Sequence, residues 1–272
     1  ATQALATAFG SAAFGAMVGV VLITCLASWI AGVALEFGPA EYFAVYFLAF
    51  SSFIGVGGSP PMKTVVSLTI GFAIAAIGMD TVSGQVRLTM GIDEMVKGVN
   101  FVVAVMGLFG IGELLIAVEE EMHARAVSSR IDWREVFRTI AGLPRHGWTL
   151  LRSAAIGCWM GITPGGPTAA SFMSYGIAKR VSRNRDKFGT GLPEGIVAPE
   201  TADHAAGTSA LLPMLSLGIP GSATAAVMMG GLMIWGLNPG PALFTEQPDF
   251  VWGLIASMYL GNIVAVILVL LT

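Results

Sequence analysis

No charged residue occurs before Glu36, and residues 9–35 form one unbroken apolar stretch. A run of that length exceeds the roughly 20 residues that carry a helix across the hydrocarbon of a bilayer. Further apolar runs occupy residues 42–56, 64–78, 101–118 and 251–271, and two more, 153–178 and 202–236, are apolar but interrupted. The runs lack the alternation of a membrane β-barrel strand, so helices are expected. Only 11% of the 272 residues are charged and 55% are hydrophobic. Soluble domains carry about 25% charged residues, so this chain cannot wet its own surface and the bilayer is its solvent. Its 35 glycines suit close helix packing and broken membrane helices. Cys25 and Cys158 each sit in an apolar run, as expected for core packing.

Charge placement sets an expected orientation. Eleven of the 14 Lys and Arg fall in two clusters. The first comprises Arg125, Arg130, Arg134, Arg138, Arg145 and Arg152, and the second Lys179, Arg180, Arg183, Arg185 and Lys187. The positive-inside rule puts both on the cytoplasmic side. A net charge of −3 and flanking apolar runs argue against nucleic-acid binding. Residues 153–178 must then leave and return to one side, yet as a single helix they measure about 39 Å, too short for two crossings. A re-entrant hairpin satisfies both conditions. Within the first cluster, ahead of the hairpin, Ile131, Trp133, Val136, Phe137, Ile140 and Leu143 form a helical stripe opposite Arg134, Glu135 and Arg138. Such a helix lies on the inner membrane surface or binds a partner subunit.

The most specific signal is a repeat. Pro164-Gly165-Gly166-Pro167-Thr168-Ala169-Ala170 matches Pro220-Gly221-Ser222-Ala223-Thr224-Ala225-Ala226 at five of seven positions, with a constant offset of 56. Each copy lies inside an interrupted apolar region, and paired Gly/Pro interruptions point to a transporter's binding site. A helix that starts inside the membrane presents unpaired N–H groups and a positive dipole end, which favour an anion such as a carboxylate. Pro164, Gly165, Gly166, Pro167, Thr168, Pro220, Gly221, Ser222 and Thr224 are the expected substrate-binding residues. The alternative for any one break is a simple kink in a packed helix.

These residues and several others resemble the large membrane subunit of the tripartite tricarboxylate transporters, the TctA family. The resemblance covers nearly the whole chain. It rests on Phe37-Gly-Pro-Ala-Glu-Tyr-Phe43, Gly78-Met-Asp80 with Gly84 and Arg87, Gly107-Leu-Phe-Gly-Ile-Gly-Glu-Leu114, and Pro164-Gly-Gly-Pro-Thr168 leading to Ser174-Tyr175. Gly189 and Gly191, Ala198-Pro-Glu200, Leu217-Gly-Ile-Pro-Gly-Ser222 and Gly236-Leu-Asn-Pro-Gly-Pro241 complete it. After Ala198-Pro-Glu200 the family tends to carry Asn-Asn, where this chain has Asp203-His204. The resemblance implies ion-gradient-driven uptake of di- and tricarboxylates or related organic acids across the bacterial inner membrane. It also implies a periplasmic substrate-binding protein and a small four-helix membrane subunit as partners. Its large subunits are roughly twice this long, so the chain is expected to be a fragment of such a protein. No cofactor is expected beyond a coupling cation, Na+ or H+. Glu113, Glu200 and Asp203 are the candidate ion-coupling acids. Glu113 lies deep in an apolar run, but it also fits a helix end just before Glu119. His204 reads as an ordinary loop histidine.

The expected architecture is therefore an all-α polytopic membrane protein with a re-entrant hairpin and broken helices, one half of an inverted-repeat transporter. Residues 1–118 are assigned four transmembrane helices and 119–152 a cytoplasmic amphipathic linker. The re-entrant hairpin spans 153–178, a basic cytoplasmic loop 179–201 and a broken helix pair 202–236, with a last transmembrane helix at 249–272. Two rival classes remain open. An intramembrane enzyme would need a catalytic pair, but there is no His-Glu-x-x-His, and Gly58-Ser59 and Ser83-Gly84 lack a helical Ser/His arrangement. A scaffold subunit would not need two matched breaks.

Overall fold

Small side chains decide how these helices meet. The computed structural model describes residues 2–56, 60–80, 83–119, 132–164 and 166–271. The chain begins with α1 (Thr2–Leu35), α2 (Pro39–Val56) and α3 (Pro61–Ala75). A two-stranded antiparallel ribbon follows, β1 (Gly78–Met79) with β2 (Val86–Arg87). Then come α4 (Phe101–Val105), a π-helical turn at Met106–Ile111, and α5 (Gly112–Glu119). The rest is α6 (Trp133–Gly142), α7 (Gly147–Ile162), α8 (Pro167–Val181), α9 (Glu194–Ser209), α10 (Leu211–Leu217), α11 (Ala223–Ile234), α12 (Leu243–Glu246) and α13 (Pro248–Leu271).

The centre of the structure is α9. Its buried residues are Val197, Ala198, Thr201, Ala202, Ala205, Ala206 and Ser209, nearly all small. α7 presents Gly157 and Gly161 to Ala202, Ala206 and Ser209, and a Cβ on either glycine would overlap an α9 carbonyl. α1 presents Gly15 and Gly19 to Thr201, Ala205 and Thr208 in the same way. Two Gly-x-x-x-Gly faces therefore clamp one alanine-rich helix, the small-residue packing by which backbones approach closely in lipid. α8 adds a third small stripe, with Ala170, Ser174 and Ala178 wholly buried. The contact order shows α1, α7 and α9 running one way, with α8 and α13 returning.

α7 and α8 fold back on each other as a helical hairpin. Ser174 Oγ donates to the Ala198 carbonyl (2.9 Å) and accepts from the Ser153 hydroxyl (2.9 Å), and both hydroxyls are completely buried. Ser174→Val is expected to strand the Ser153 hydroxyl and cost about 1–3 kcal/mol. A lowered midpoint of thermal unfolding in detergent would register that loss, and an unchanged midpoint would contradict it.

Several sequence expectations are corrected here. Among the described residues, α1 and α13 are the helices long and apolar enough to cross a bilayer. α2 has 18 residues and α3 has 15, in keeping with the short apolar runs at 42–56 and 64–78. Pro60 precedes α3, whose first residue is Pro61. The fold is also not purely helical. Positive φ angles at Gly78, Gly84 and Gly91 let the chain reverse into the ribbon, which the Arg87–Asp80 ion pair ties together. α9 starts at Glu194, inside the stretch assigned to a basic loop. Thr149 Oγ1 (3.0 Å) and Ser182 Oγ (2.6 Å) donate to the Glu194 carboxylate there, and Pro199 is tolerated inside the helix. His204 is accordingly a helix residue. Cys158 is buried but Cys25 is exposed, on the side of α1 away from α9. α6 is capped by Asp132, whose carboxylate accepts from Arg134 N (3.0 Å). It buries Val136 and leaves Trp133 and Phe137 exposed. Arg125, Arg130 and Ile131 lie outside the described residues.

Candidate functional site

Both copies of the repeated motif interrupt a helix and restart one at the same motif position. In the first, Thr163 takes an extended conformation (φ −82°, ψ 120°), the conformation a following proline imposes. Pro167 then occupies the first position of α8, where its missing N–H costs nothing. Gly166 packs on the Met160 carbonyl, where a side chain would not fit. In the second copy, Gly218 ends α10 in the left-handed region (φ 71°). Gly218 N donates to Met214 O (3.1 Å) and Ile219 N to Pro213 O (3.2 Å), satisfying carbonyls at the end of α10. Ser222 is extended, and its Oγ accepts from Ala225 N (3.1 Å) as the cap of α11. α11 begins at Ala223, which lies 56 positions after Pro167.

The two breaks meet. A Cβ on Gly221 would stand 3.2 Å from the Gly161 carbonyl and 3.4 Å from Ala210. Gly161 is in the last turn of α7, just before Pro164, and it rests on Ser209 at the end of α9. The C-terminal end of α9 is thus the point on which both interruptions converge.

Beside it lies a cavity of about 280 Å³. Ser222 and Thr224 line it together with Gly207 and Thr208 of α9 and Asn262 of α13. Met228 and Met258 supply apolar wall. The N–H groups of Ala223 and Thr224 precede the first intrahelical bonds of α11, at the positive end of its dipole. Hydroxyls, a side-chain amide and a helix start in one apolar recess suit an anionic oxygen ligand. Of the expected binding residues, Ser222 and Thr224 reach this cavity. Pro164, Gly166 and Pro167 do not line it and instead shape the adjoining turn. Gly165 and the Thr168 side chain lie outside the described residues. Thr208 and Asn262 were not singled out from sequence, although Asn262 is a polar interruption in an otherwise apolar run.

The candidate ion-coupling acids separate. Glu200 and Asp203 share the exposed face of α9, and Ser171 Oγ of α8 donates to Asp203 Oδ1 (2.9 Å). His204 Nδ1 stands 3.8 Å from Glu200 Oε2. His204 and Asn262 together line a smaller cavity of about 170 Å³ between α1, α9 and α13, so Asn262 borders both recesses. Glu113 belongs to α5, a different part of the chain, and its side chain lies outside the described residues. No group of three or more metal-ligating side chains occurs among the described residues. A larger cleft, about 630 Å³, opens at the basic end between α1 and α6. Arg138, Arg145 and His146 line it, and none of the described break residues does.

Sequence comparison places the chain among known proteins. An uncharacterized 52.8 kDa protein in the TAR-I ttuC' 3' region of Agrobacterium vitis is 36% identical over 273 residues, covering 98% of this chain and 53% of that protein. A second protein, in the TAR-II ttuC' 3' region of the same organism, is 44% identical over 113 residues, or 41% of this chain and 47% of that protein. The chain therefore spans about half the length of the curated relatives it matches. No solved structure matches it. The pattern of the Tripartite tricarboxylate transporter TctA family, a family of membrane transport components, matches residues 1–272 from end to end, and the chain belongs to that family.

Proposed function

We propose that this chain is part of the large permease subunit of a tripartite, binding-protein-dependent transporter that takes up organic acid anions. The observation that carries this reading is the convergence of the two Pro-Gly breaks at the end of α9, next to a cavity lined by Thr208, Ser222, Thr224 and Asn262. An anion at membrane depth costs several kcal/mol unless it is paired. Among the described residues, no Lys or Arg lines this cavity. Backbone N–H groups, hydroxyls and an amide are the donors left to neutralise a carboxylate there.

In this reading the α7–α8 hairpin enters the membrane from the basic, cytoplasmic side and its tip braces the second break. A periplasmic binding protein delivers a di- or tricarboxylate or a related acid, and a small four-helix subunit accompanies the permease. A Na+ or H+ gradient drives uptake. Glu200 and Asp203 are the acids placed to respond to the ion, with Glu113 a further candidate. The site of action is the bacterial inner membrane.

The deciding experiment is uptake of radiolabelled citrate and succinate into proteoliposomes that hold the complete system, with and without Na+ and proton gradients. Uptake that requires the binding protein and one gradient is the expected result. Absence of uptake of every carboxylate under both gradients would remove the proposal and favour a scaffold role.

A further inference from the structure

α7 carries a cation on a face that is otherwise built for lipid. Trp148 and Trp159 are 73% and 72% exposed, and with Leu151, Ile156 and Met173 of α8 they wall a shallow groove of about 540 Å³. Among the described residues, Arg152 is the one charged residue lining it. Two of its guanidinium nitrogens, Nε and one terminal nitrogen, are covered by protein and have no hydrogen-bond partner among the described residues. Arg152 lies about 8 Å along α7 from its basic end, within reach of the level where lipid headgroups meet the hydrocarbon.

A shielded guanidinium without a counter-ion is unfavourable at that depth. The groove beside it is too apolar for a free carboxylate or a water cluster, but it suits an acyl chain. The other terminal nitrogen of Arg152 is not among the covered atoms and can meet a phosphate in a charge-assisted hydrogen bond. Trp148, at the basic end, has the amphipathic ring that sits at a headgroup level. Basic recesses between membrane helices on the cytoplasmic side are built to take anionic headgroups. We infer that this groove is a binding site for an anionic phospholipid, with the phosphate at the uncovered terminal nitrogen of Arg152 and one acyl chain lying along α7 toward Trp159. The inference rests on the membrane embedding of the hairpin and not on the identity of the transported acid. It adds a lipid requirement to the element that braces the substrate cavity.

The test uses the full-length protein purified in mild detergent and examined by native mass spectrometry during titration with phosphatidylglycerol or phosphatidylcholine. The parent is expected to retain phosphatidylglycerol in preference to phosphatidylcholine. R152Q should weaken that retention about fivefold, the worth of one basic side chain at a membrane surface. R152K should keep most of the retention, and R180Q, outside the groove, all of it. A photoactivatable phosphatidylglycerol should label the α7 segment that holds Trp148 and Trp159 in the parent, a readout that needs no variant to fold. Equal retention by R152Q and the parent would overturn the inference. So would equal retention of both lipids, displacement by millimolar inorganic phosphate, or protection of the groove by a co-purified protein subunit in place of lipid. Loss of carboxylate uptake with lipid retention intact would bear on the transport reading alone.

Discussion

Gly161→Leu is expected to eliminate most of the folded protein. A Cβ at Gly161 would run into Ser209 Oγ and the Ala206 carbonyl, and both belong to the most deeply buried helix. The obstacle is backbone, which cannot rotate away as a flexible side chain can. Overpacking a tight core costs about 1–3 kcal/mol and occasionally more, and leucine adds three further carbons to the clash. Separation of α7 from α9 would also release the second break, since Gly221 rests on Gly161. The measurement is the fraction of monodisperse protein after size exclusion of a fluorescent fusion, with Gly253→Leu as the control. Nothing lies within 4 Å of a Cβ built at Gly253. Equal yields from the two variants would refute the packing argument.

Gly221→Leu is expected to abolish transport while leaving assembly intact, the opposite division of effects. Here the tightest contact is 3.2 Å, so the break can shift outward without unpacking α9. That shift moves Ser222 and the start of α11, and the donors facing the cavity no longer converge. Uptake in proteoliposomes should fall at least about tenfold, equivalent to 1.4 kcal/mol. Co-purification with the proposed small membrane subunit should remain at the parent level. Thr224→Ala in the same cavity should raise the substrate KM about fivefold, from the loss of one neutral hydrogen bond worth about 1 kcal/mol. Ser222→Ala mixes two losses, because Ser222 Oγ also caps α11. Parent-rate uptake by Gly221→Leu would remove the second break from the substrate site.

Much of the local structure was legible because its causes lie within a few residues. Pro164 dictates an extended Thr163, Pro167 suits only a helix start, and Gly218 takes the left-handed turn that ends α10. The motif repeated at an offset of 56 therefore announced two helix starts in one register. The amphipathic stripe of α6 was equally plain, although which of its apolar residues are buried was not. Trp133 and Phe137 belong to that stripe and still face outward.

Residues with neutral side chains misled. Val197, Ala198, Thr201, Ala202, Ala205 and Ala206 carry no strong helical pattern of hydrophobicity, and the first turns of α9, up to Thr201, fall inside the stretch assigned to the basic loop. Their importance lies in being small, which matters only once Gly15, Gly19, Gly157 and Gly161 are brought against them. His204 changed its meaning for the same reason, from a loop histidine to a neighbour of Glu200 on a central helix.

The sequence alone determined that this chain lies in a membrane, that its helices break twice in the same way, and which residues start the new helices. Those conclusions follow from hydropathy and from φ restrictions, which act within a few residues. Only the tertiary structure decided that α9 is the centre, that the two breaks share its end, and that Thr208 and Asn262 complete the recess beside Ser222 and Thr224. Those outcomes depend on backbone-to-backbone approach between segments far apart in the chain, and a glycine or alanine does not disclose its distant partner.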